Sequence, residues 1–329
     1  MSFIDEIKAR AKQDLKRIVL PEAMDMRILK AAQIVLSEKL CQIVLIGDET
    51  EIRKKAQMEK IEIGEACIVN PVKSDKMERY AKLLSEIDQT VSFEQAKEWM
   101  KNPVYFGMLM VKAGEADGFV SGAMNTTKDI LKTAMRIFDK KGTKILSTAL
   151  LMLVPNQKYG GKDGVYIFSD CALNENPGYI ALSEIAMASA KTYEKFTAKK
   201  AKVAMLSYST MGSATSKYTE KVIKATQRAK QKWPALMIDG EMQLDSAIVP
   251  EIAQVKAPNS SLKGEANVLI FPDINAGNIG CKLVERLGKA QMFGPICQGL
   301  EKPINDLSRG CSVEGIVGTI IMTAIQAQN

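Results

Sequence analysis

The stretch RIVLPEAMDMRILKAAQIVLSEKLCQIVLI, residues 17–46, decides the fold class. It opens with a short strand, Arg17–Leu20, that Pro21 ends, and it closes with a second strand, Gln42–Ile46; both are apolar after the first residue. Between them, from Asp25 to Ser37, apolar residues recur at the spacing of one helix face. A strand, a helix and a strand in this rhythm predict a βαβ unit and a parallel sheet.

The same alternation continues along the chain and predicts an α/β protein with two α/β domains. A chain of 329 residues is long for a single core. In the first half we expect a further helix and strand, and in the second half one long helix and four more strands, which complete a second parallel sheet. These elements are a helix at 102–112, a strand at 117–120, a helix at 181–196 and strands at 165–168, 202–206, 236–239 and 268–271.

Composition places the chain among soluble globular proteins. A quarter of the residues are charged, and no apolar run approaches the 18 residues of a membrane span. The N-terminus is charged and amphipathic and lacks the apolar core of a signal peptide, so we expect a cytoplasmic protein.

The formal charge of +7 favours anionic ligands, and the lack of a basic run with interleaved aromatics argues against nucleic acid. The six cysteines form no CxxC pair and are expected to be reduced.

The sequence contains no histidine, and this excludes several classes of site. A Ser-His-Asp triad, a Cys-His pair, a histidine-ligated zinc ion and an imidazole acid–base catalyst are all ruled out. Any chemistry must therefore use carboxylates, lysine, arginine, hydroxyls, thiols or backbone dipoles.

Two polar, glycine-containing loops suggest a site for a phosphorylated ligand. In Asn305–Ser312, a hydroxyl at Ser308 stands beside Arg309, whose rigid fork of donors fits phosphate, and Gly310 follows at once. The second loop, Phe271–Gly280, comes directly after an apolar strand. Either loop alone is more typical of an ordinary turn with surface polar residues than of a binding site.

Polar residues follow several predicted strands, at the sheet edge where α/β proteins bind ligands. After the strand at 117–120, Ser121-Gly-Ala is a sharp turn of the kind that presents backbone N–H groups to an anion. As single residues, these positions are more typical of helix N-caps and turns. The candidates are Ser121, Ser169, Ser207–Ser213, Asp239 and Asp273–Asn278.

Several long strings, in order and at matching spacing from about Arg17 to Gln328, make the chain resemble the phosphate acetyltransferase family, which includes phosphate butyryltransferases. Many strings in order are far more specific than one short motif. The strings are Ile18–Glu22, Asp117–Ala123, Ala204–Thr210, Ile238–Asp245, Phe271–Ile279 and Pro303–Ser312.

This resemblance implies a reversible transfer of an acetyl group between acetyl phosphate and coenzyme A by direct thiolate attack. It implies no metal, no cofactor and no covalent enzyme intermediate. The expected fold is similar to the isocitrate and isopropylmalate dehydrogenases, with two α/β domains flanking a cleft. Residues 1–146 and 299–329 would form domain I, and residues 147–298 would form domain II, through which the family is commonly a homodimer.

Site residues follow from the resemblance position by position. The family's Ser-Arg pair falls on Ser308 and Arg309, which would hold the reactants and stabilise the developing charge. Glu314 is the carboxylate nearest to the family's base position. The residues expected to bind substrate are Ser121, Gly122, Asn125, Thr126, Lys132, Asn278, Asn305 and Gly310.

The chain departs from the family pattern at several functional positions. The family's base aspartate, six residues after the arginine, is Gly315 here, and Glu314 points about 100° aside on a helix. An arginine used towards coenzyme A becomes Lys132, which keeps the charge but loses the fork. A second such arginine aligns with Glu86, and a common tyrosine becomes Cys281.

Two alternative functions remain open at this point. One is a related acyltransferase with a longer acyl preference or weakened activity. The other is a metal- and nicotinamide-dependent dehydrogenase of the same fold, in which Asp239, Glu241 and Asp245 would bind magnesium. The complete Ser-Arg-Gly motif and the missing GxGxxG signature argue against the dehydrogenase.

Overall fold

A computed structural model describes residues 2–64, 66–155 and 164–328. The chain divides into two compact units: unit 1 comprises Phe3–Asp139 and the chain from Leu300 onward, and unit 2 comprises Lys140–Gly299. The domain limits predicted from the sequence, near residues 146 and 299, stay a prediction. The loop 154–164, interpreted from sequence as a hairpin or a boundary, lies largely outside the described residues.

Eleven strands are present in the described part of the chain. They are β1 Arg17–Leu20, β2 Gln42–Ile46, β3 Cys67–Val69, β4 Gly118–Ser121, β5 Ser147–Leu153, β6 Val165–Ser169, β7 Val203–Leu206, β8 Ile238–Met242, β9 Val268–Ile270, β10 Gln291–Gln298 and β11 Ile304–Asp306.

The same described residues form thirteen α-helices and one 3-10 turn at Pro71–Lys73. The helices are α1 Phe3–Gln13, α2 Met26–Ser37, α3 Glu49–Met58, α4 Met77–Ile87, α5 Phe93–Trp99, α6 Pro103–Lys112, α7 Thr127–Ile137, α8 Tyr179–Thr197, α9 Lys217–Lys232, α10 Leu244–Ile248, α11 Pro250–Lys256, α12 Ile274–Arg286 and α13 Val313–Ala327.

Unit 1 is built on a five-stranded parallel sheet in the order β11-β4-β1-β2-β3. The predicted βαβ unit is confirmed: β1, α2 and β2 occupy the expected residues, and Asp25 caps α2 by accepting from the Arg27 amide. One core lies where α4 and α6 pack on the sheet, and its largest fully buried side chains include Tyr80, Phe106 and Phe119.

Unit 2 contains a six-stranded sheet in the order β10-β5-β6-β9-β7-β8. The four predicted strands, β6, β7, β8 and β9, are parallel, as expected. The sequence interpretation missed β5 and β10, which add antiparallel pairs at one edge and make this sheet mixed. The Gly294-Pro295 pair in the middle of β10 is a sequence pattern typical of a turn, which hides the strand in the sequence. In the structure, the register between β5 and β10 shifts at this pair.

Sheet order in unit 1 brings three loops to one edge. Strands β1, β4 and β11 are parallel neighbours, so the segments after their carboxyl ends emerge side by side. These segments begin at Pro21, Gly122 and Leu307.

All six cysteines are free thiols, which confirms the expectation from their spacing. Cys41, Cys171, Cys281 and Cys297 are buried, whereas Cys67 is exposed. No helix among the described residues is both long and apolar enough to cross a membrane.

Candidate active site

The turn after β4 packs against the end of β11, at Asp306 and Leu307, where the Ser-Arg-Gly loop begins. Gly122 has φ +120°, a left-handed conformation that favours glycine. A Cβ there would lie 2.2 Å from Asp306 Oδ1 and 2.6 Å from the Leu307 amide nitrogen. Glycine is therefore required at this position because the backbone of β4 approaches β11 too closely for a side chain.

The backbone amides of this turn already bind an anion, the carboxylate of Glu22. Glu22 Oε2 accepts from the Gly122 and Ala123 amides at 2.9 and 2.8 Å. Its Oε1 accepts from the Met124 and Asn125 amides, each at 2.8 Å. Four converging N–H groups make an anion-binding nest, and the side chain that fills it is only 6% exposed.

In this structure the donors of Gly122 and Asn125 are bound to Glu22, and the expectation that Ser121, Gly122 and Asn125 bind substrate stays a prediction. Ser121 and Gly122 are buried, and the Asn125 side-chain amide also donates to Glu22, at 2.8 Å. The sequence interpretation identified an anion-binding turn but not its occupant. Glu22 lies 100 residues upstream of Gly122 in the chain, so no local sequence pattern indicates this contact.

Helix α7 places two further expected residues in different roles. Thr126 is its N-cap, and the Thr126 hydroxyl accepts from the Asp129 amide at 3.2 Å. Lys132 is exposed and, with Asn125, lines a cavity of about 820 Å³ in unit 1. Thr126 thus has a structural function, and Lys132 faces a space large enough for a ligand.

Arg136, which the sequence analysis did not single out, also lines this cavity. Its guanidinium stacks over Trp99 at 4.7 Å from the ring centroid and donates to the Tyr105 hydroxyl at 3.2 Å. A salt bridge of 2.9 Å joins it to Asp88. The cavity therefore combines two cations with an aromatic wall.

Asn305 is a structural residue and not part of an exposed loop. It lies within β11, is fully buried, and donates from Nδ2 to the Thr323 hydroxyl at 2.8 Å and to Gln326 Oε1. Its amide ties β11 to α13, and the expectation that Asn305 binds substrate stays a prediction.

Asp306, the next residue, is a buried carboxyl beneath the turn of Gly122. Its Oδ2 accepts from the Thr127 hydroxyl, whereas its Oδ1 has no partner among the described residues. Burial raises the pKa of Asp306 to about 7, and the neighbouring Glu22 charge adds to this effect. The register partner across β11 and β4, Ser121, also has a buried hydroxyl without a partner in the described structure.

Ser308, Arg309 and Gly310 form the tip of the loop after β11. Ser308 is partly exposed, and Arg309 and Gly310 are exposed. A tight turn holds the tip, in which the Cys311 amide donates to the Ser308 carbonyl at 2.9 Å. The structure thus presents a hydroxyl and a guanidinium to solvent at the carboxyl end of the sheet.

The backbone of this loop is held by Arg27 at the start of α2. Arg27 Nη1 donates to the Arg309 carbonyl at 2.6 Å, and Nη2 donates to the Ala123 carbonyl at 2.9 Å. Asp25 fixes the same guanidinium with contacts of 3.1 Å to Nε and 2.7 Å to Nη2. Arg27 therefore bridges the turn after β4 and the loop after β11.

Helix α13 begins at the end of the loop, with Ser312 as its N-cap. The Ser312 hydroxyl accepts from the Gly315 amide at 3.1 Å. Glu314 is exposed in the first turn, so it remains available to solvent. Burial raises the pKa of the Cys311 thiol to about 11, which makes this cysteine a poor nucleophile.

Asn278 belongs to α12 in unit 2, where its Nδ2 donates to the Cys171 carbonyl at 3.1 Å. The other expected residues all lie in unit 1. Of these, Ser308, Arg309, Gly310 and Glu314 cluster in sequence at the loop and the start of α13, and Asn125 and Lys132 share the cavity beside α7.

Comparison with known proteins gives these features a context. The model of the phosphate acetyl/butaryl transferase family matches residues 2–324. The chain belongs to this family. It is 51% identical to the phosphate acetyltransferase of Acetivibrio thermocellus over all of this chain and 99% of that protein. It is 49% identical to the phosphate acetyltransferase of Thermoanaerobacterium thermosaccharolyticum over the full length of both.

Solved structures agree with this assignment and confirm the α/β fold. The EutD phosphotransacetylase of Staphylococcus aureus superposes with a TM-score of 0.89 at 39% identity, over 99% of this chain and 98% of that chain. The resemblance read from the sequence strings is thereby confirmed. The dehydrogenase alternative finds no support, and Asp239 and Asp245 are engaged by Lys230 and Lys256, each at 2.7 Å.

Glu86 and Cys281 are the other two positions where the chain departs from the phosphate acetyl/butaryl transferase pattern. Glu86 is exposed on α4, with Lys82 at 4.0 Å. Cys281 is buried in α12, and its thiol donates to the Asn278 carbonyl at 3.2 Å.

Proposed function

We propose that this protein is a phosphate acetyltransferase that moves an acetyl group reversibly between acetyl phosphate and coenzyme A. The observation that carries the proposal is the full-length similarity to phosphate acetyltransferases, combined with a Ser-Arg-Gly loop whose Arg309 is exposed at the carboxyl end of the sheet. Its substrates are intracellular metabolites, and we infer that the protein acts in the cytoplasm.

In the proposed mechanism the coenzyme A thiolate attacks the acetyl carbonyl directly. The new C–S bond forms as the C–O bond to phosphate breaks, and inorganic phosphate leaves with the electron pair. Arg309 supplies fixed positive charge and a fork of donors to the phosphoryl oxygens, and Ser308 supplies a hydroxyl. No covalent enzyme intermediate, metal or cofactor enters this scheme.

The cavity beside α7 is the site we assign to coenzyme A. Lys132 would contribute positive charge to its phosphates, beside the Arg136 guanidinium, which is already paired with Asp88 and stacked over Trp99. Because Lys132 offers a point charge in place of a fork, its hold on a phosphate should be less specific than that of an arginine.

Thiol deprotonation proceeds in this proposal without a dedicated aspartate, since Gly315 stands at the family's base position. A free thiol titrates near about 8.5, so a minority is already thiolate at neutral pH. The positive charge of Arg309 and Lys132 would raise that fraction. The reaction should consequently be slower than one with a general base, which typically contributes about 10²–10⁴-fold.

We also propose that the protein is a homodimer through unit 2. Several large apolar side chains of that unit are exposed, and a dimer contact that covered them would remove their apolar surface from water. Light scattering coupled to size-exclusion chromatography should give twice the chain mass, and a monomer at micromolar concentration would contradict this. The exposed side chains include Tyr179, Ile180, Tyr208, Tyr218, Leu283 and Leu287.

An assay of thioester formation tests the proposed activity. Acetyl phosphate and coenzyme A, with a chelator and no added metal, should yield acetyl-CoA, and butyryl phosphate as a parallel substrate measures acyl preference.

Arg309→Ala should lower turnover by about two to three orders of magnitude, the cost of removing one charge-stabilising donor. Since Arg309 is exposed, the variant should fold normally. Full turnover in this variant would remove Arg309 from the mechanism.

A further inference from the structure

We propose that Arg27 is a positioning residue for the Ser308–Arg309 loop and that Glu22 holds the turn beside it. This inference rests on the proposed acetyltransferase function. Both side chains come from the segment that follows β1, the central strand of the sheet, whose neighbour β4 pairs in turn with β11. Neither side chain has to contact substrate for this role.

Arg27 uses its whole guanidinium as a bridge. Nη1 donates to the carbonyls of Arg309 and Cys311, at 2.6 and 3.4 Å, and Nη2 donates to the Ala123 carbonyl at 2.9 Å. These acceptors lie on two different loops, 282 and 96 residues away in sequence from Arg27. Such a contact fixes the loop backbone from the Arg309 carbonyl to Cys311, directly after the Arg309 side chain.

The bridge is itself rigid, because Asp25 binds the same guanidinium through two oxygens. The hydrogen bond from Arg27 lowers the pKa of Asp25, so the carboxylate stays ionised over the neutral range. Asp25 also caps α2, which ties the orientation of Arg27 to that helix. A planar, bidentate pair loses little freedom when it forms further bonds.

Glu22 completes the arrangement on the other loop. Its carboxylate binds the four amides of residues 122–125, and Arg27 binds the carbonyl of Ala123 within the same turn. The turn is therefore held through both its donors and its acceptors. Since Gly122 lies against Leu307, a fixed turn also fixes the base of the catalytic loop.

The consequence for catalysis is geometric. Arg309 and Gly310 are exposed at the loop tip, where side chains have few packing contacts to hold them. Displacing a charge-stabilising group by about 1 Å can cost about 10²-fold in rate. We therefore expect Arg27→Gln to lower kcat by about 10- to 100-fold with little change in the KM for either substrate.

A double-mutant cycle distinguishes positioning from a general structural role. Arg309→Ala keeps the carbonyl that Arg27 binds but removes the side chain that it positions. If Arg27 acts through Arg309, adding Arg27→Gln to Arg309→Ala should lower kcat by less than about twofold. If instead the fold reductions in kcat of the two single variants multiplied in the double variant, the proposal would be overturned. Arg53→Gln, at an exposed arginine of α3 paired with Glu49, is the control and should keep full activity.

Trypsin gives a readout that does not depend on activity. Cleavage after Arg309 releases residues 310–329, which contain no lysine or arginine and so appear as one peptide by mass spectrometry. Loss of the Arg27 bridge should accelerate this cleavage several-fold in Arg27→Gln relative to the parent protein and to Arg53→Gln. An unchanged rate would show that Arg27 does not hold the loop. If the parent protein formed no acetyl-CoA while the trypsin result held, the proposed function would fail and the loop restraint would stand.

Discussion

At the scale of single residues, Glu22 shows how one backbone motif can serve two purposes. A glycine turn that opens a helix is a common site for phosphate, because its N–H groups converge. Here the same geometry is filled by an internal carboxylate with five donors, including the Asn125 side chain. In the function proposed above, anion recognition therefore rests on the exposed Ser308 and Arg309 rather than on the turn after β4.

Lys132 tests the assignment of the cavity. Lys132→Arg should lower the KM for coenzyme A more than it changes kcat, since a guanidinium can bind a phosphate through two donors. Initial rates at saturating acetyl phosphate measure both parameters. Lys128→Arg, at an exposed lysine of the same helix that does not line the cavity, should change neither. An unchanged KM in Lys132→Arg would show that Lys132 does not face the ligand.

Substitution of Gly315 tests whether the enzyme works without a general base at this position. It lies in the first turn of α13, where a carboxylate is favoured by the helix dipole, so Gly315→Asp should not destabilise the protein. The added base should raise kcat near neutral pH and flatten a profile that otherwise climbs as the thiol ionises. The pH dependence of kcat in both proteins measures this effect.

Glu314→Ala is the companion variant, because the exposed Glu314 is the rival candidate for the base. We expect it to keep most of the activity. If Glu314→Ala abolished turnover while Gly315→Asp changed nothing, the carboxylate at 314 would be the base and the unassisted thiolate would be excluded.

At the scale of secondary-structure elements, β11 explains the main error of the sequence interpretation. Asn305 and Asp306 were read as part of a polar loop, yet they form a buried strand paired with β4. Three residues with two polar side chains carry no alternating pattern, so only the neighbouring strand and α13 reveal the pairing. By contrast, β1 and β2 are apolar after their first residues, Arg17 and Gln42, and are followed by Pro21 and Gly47, and their limits were predicted correctly.

The buried Asp306 of β11 should make the free energy of unfolding depend on pH. Asp306 has a pKa of about 7 when folded, against an ordinary value of 3.8. Between these two values the folded chain keeps a proton that the unfolded chain has released. The free energy of unfolding should therefore fall as the pH rises from about 4 to 7, by up to about 1.4 kcal/mol per pH unit from this group, and level off above.

Urea unfolding of the parent protein and Asp306→Asn across this range isolates the contribution. The difference between the two unfolding free energies should change steadily from pH 4.5 to 7 and stay constant above. Asp75→Asn, at an exposed carboxylate of the same unit, should run parallel to the parent protein. A constant difference between parent and Asp306→Asn would show that this carboxyl titrates normally.

At the scale of the whole molecule, unit 1 is assembled from two distant parts of the chain. Strand β11 pairs with β4, and α13 packs against α1, α2 and β4, although both follow unit 2 in sequence. The sequence supports this organisation only through the family resemblance, since local patterns cannot show which sheet a returning segment joins. Its physical basis is the burial of α13, in which every residue from Ile316 to Ile325 is buried.

Removing residues 300–329 should accordingly unfold unit 1 and spare unit 2. Ile316, Ile320, Ile321 and Ile325 are each at most 1% exposed, and burying one such side chain contributes about 1.5–3 kcal/mol. Their loss together is comparable to the whole stability of a typical domain, about 5–15 kcal/mol. Hydrogen exchange of the truncated chain should show lost protection in β1, β2 and β4 and retained protection in β6, β7 and β9, whose unit keeps all its residues.

Because the carbonyls that Arg27 binds at 309 and 311 are removed as well, a synthetic 300–329 peptide added to the truncated chain should restore protection and acetyl transfer together. Protection of β1 and β4 that survives the truncation would mean that the first 139 residues fold independently and that α13 serves only to carry the catalytic loop.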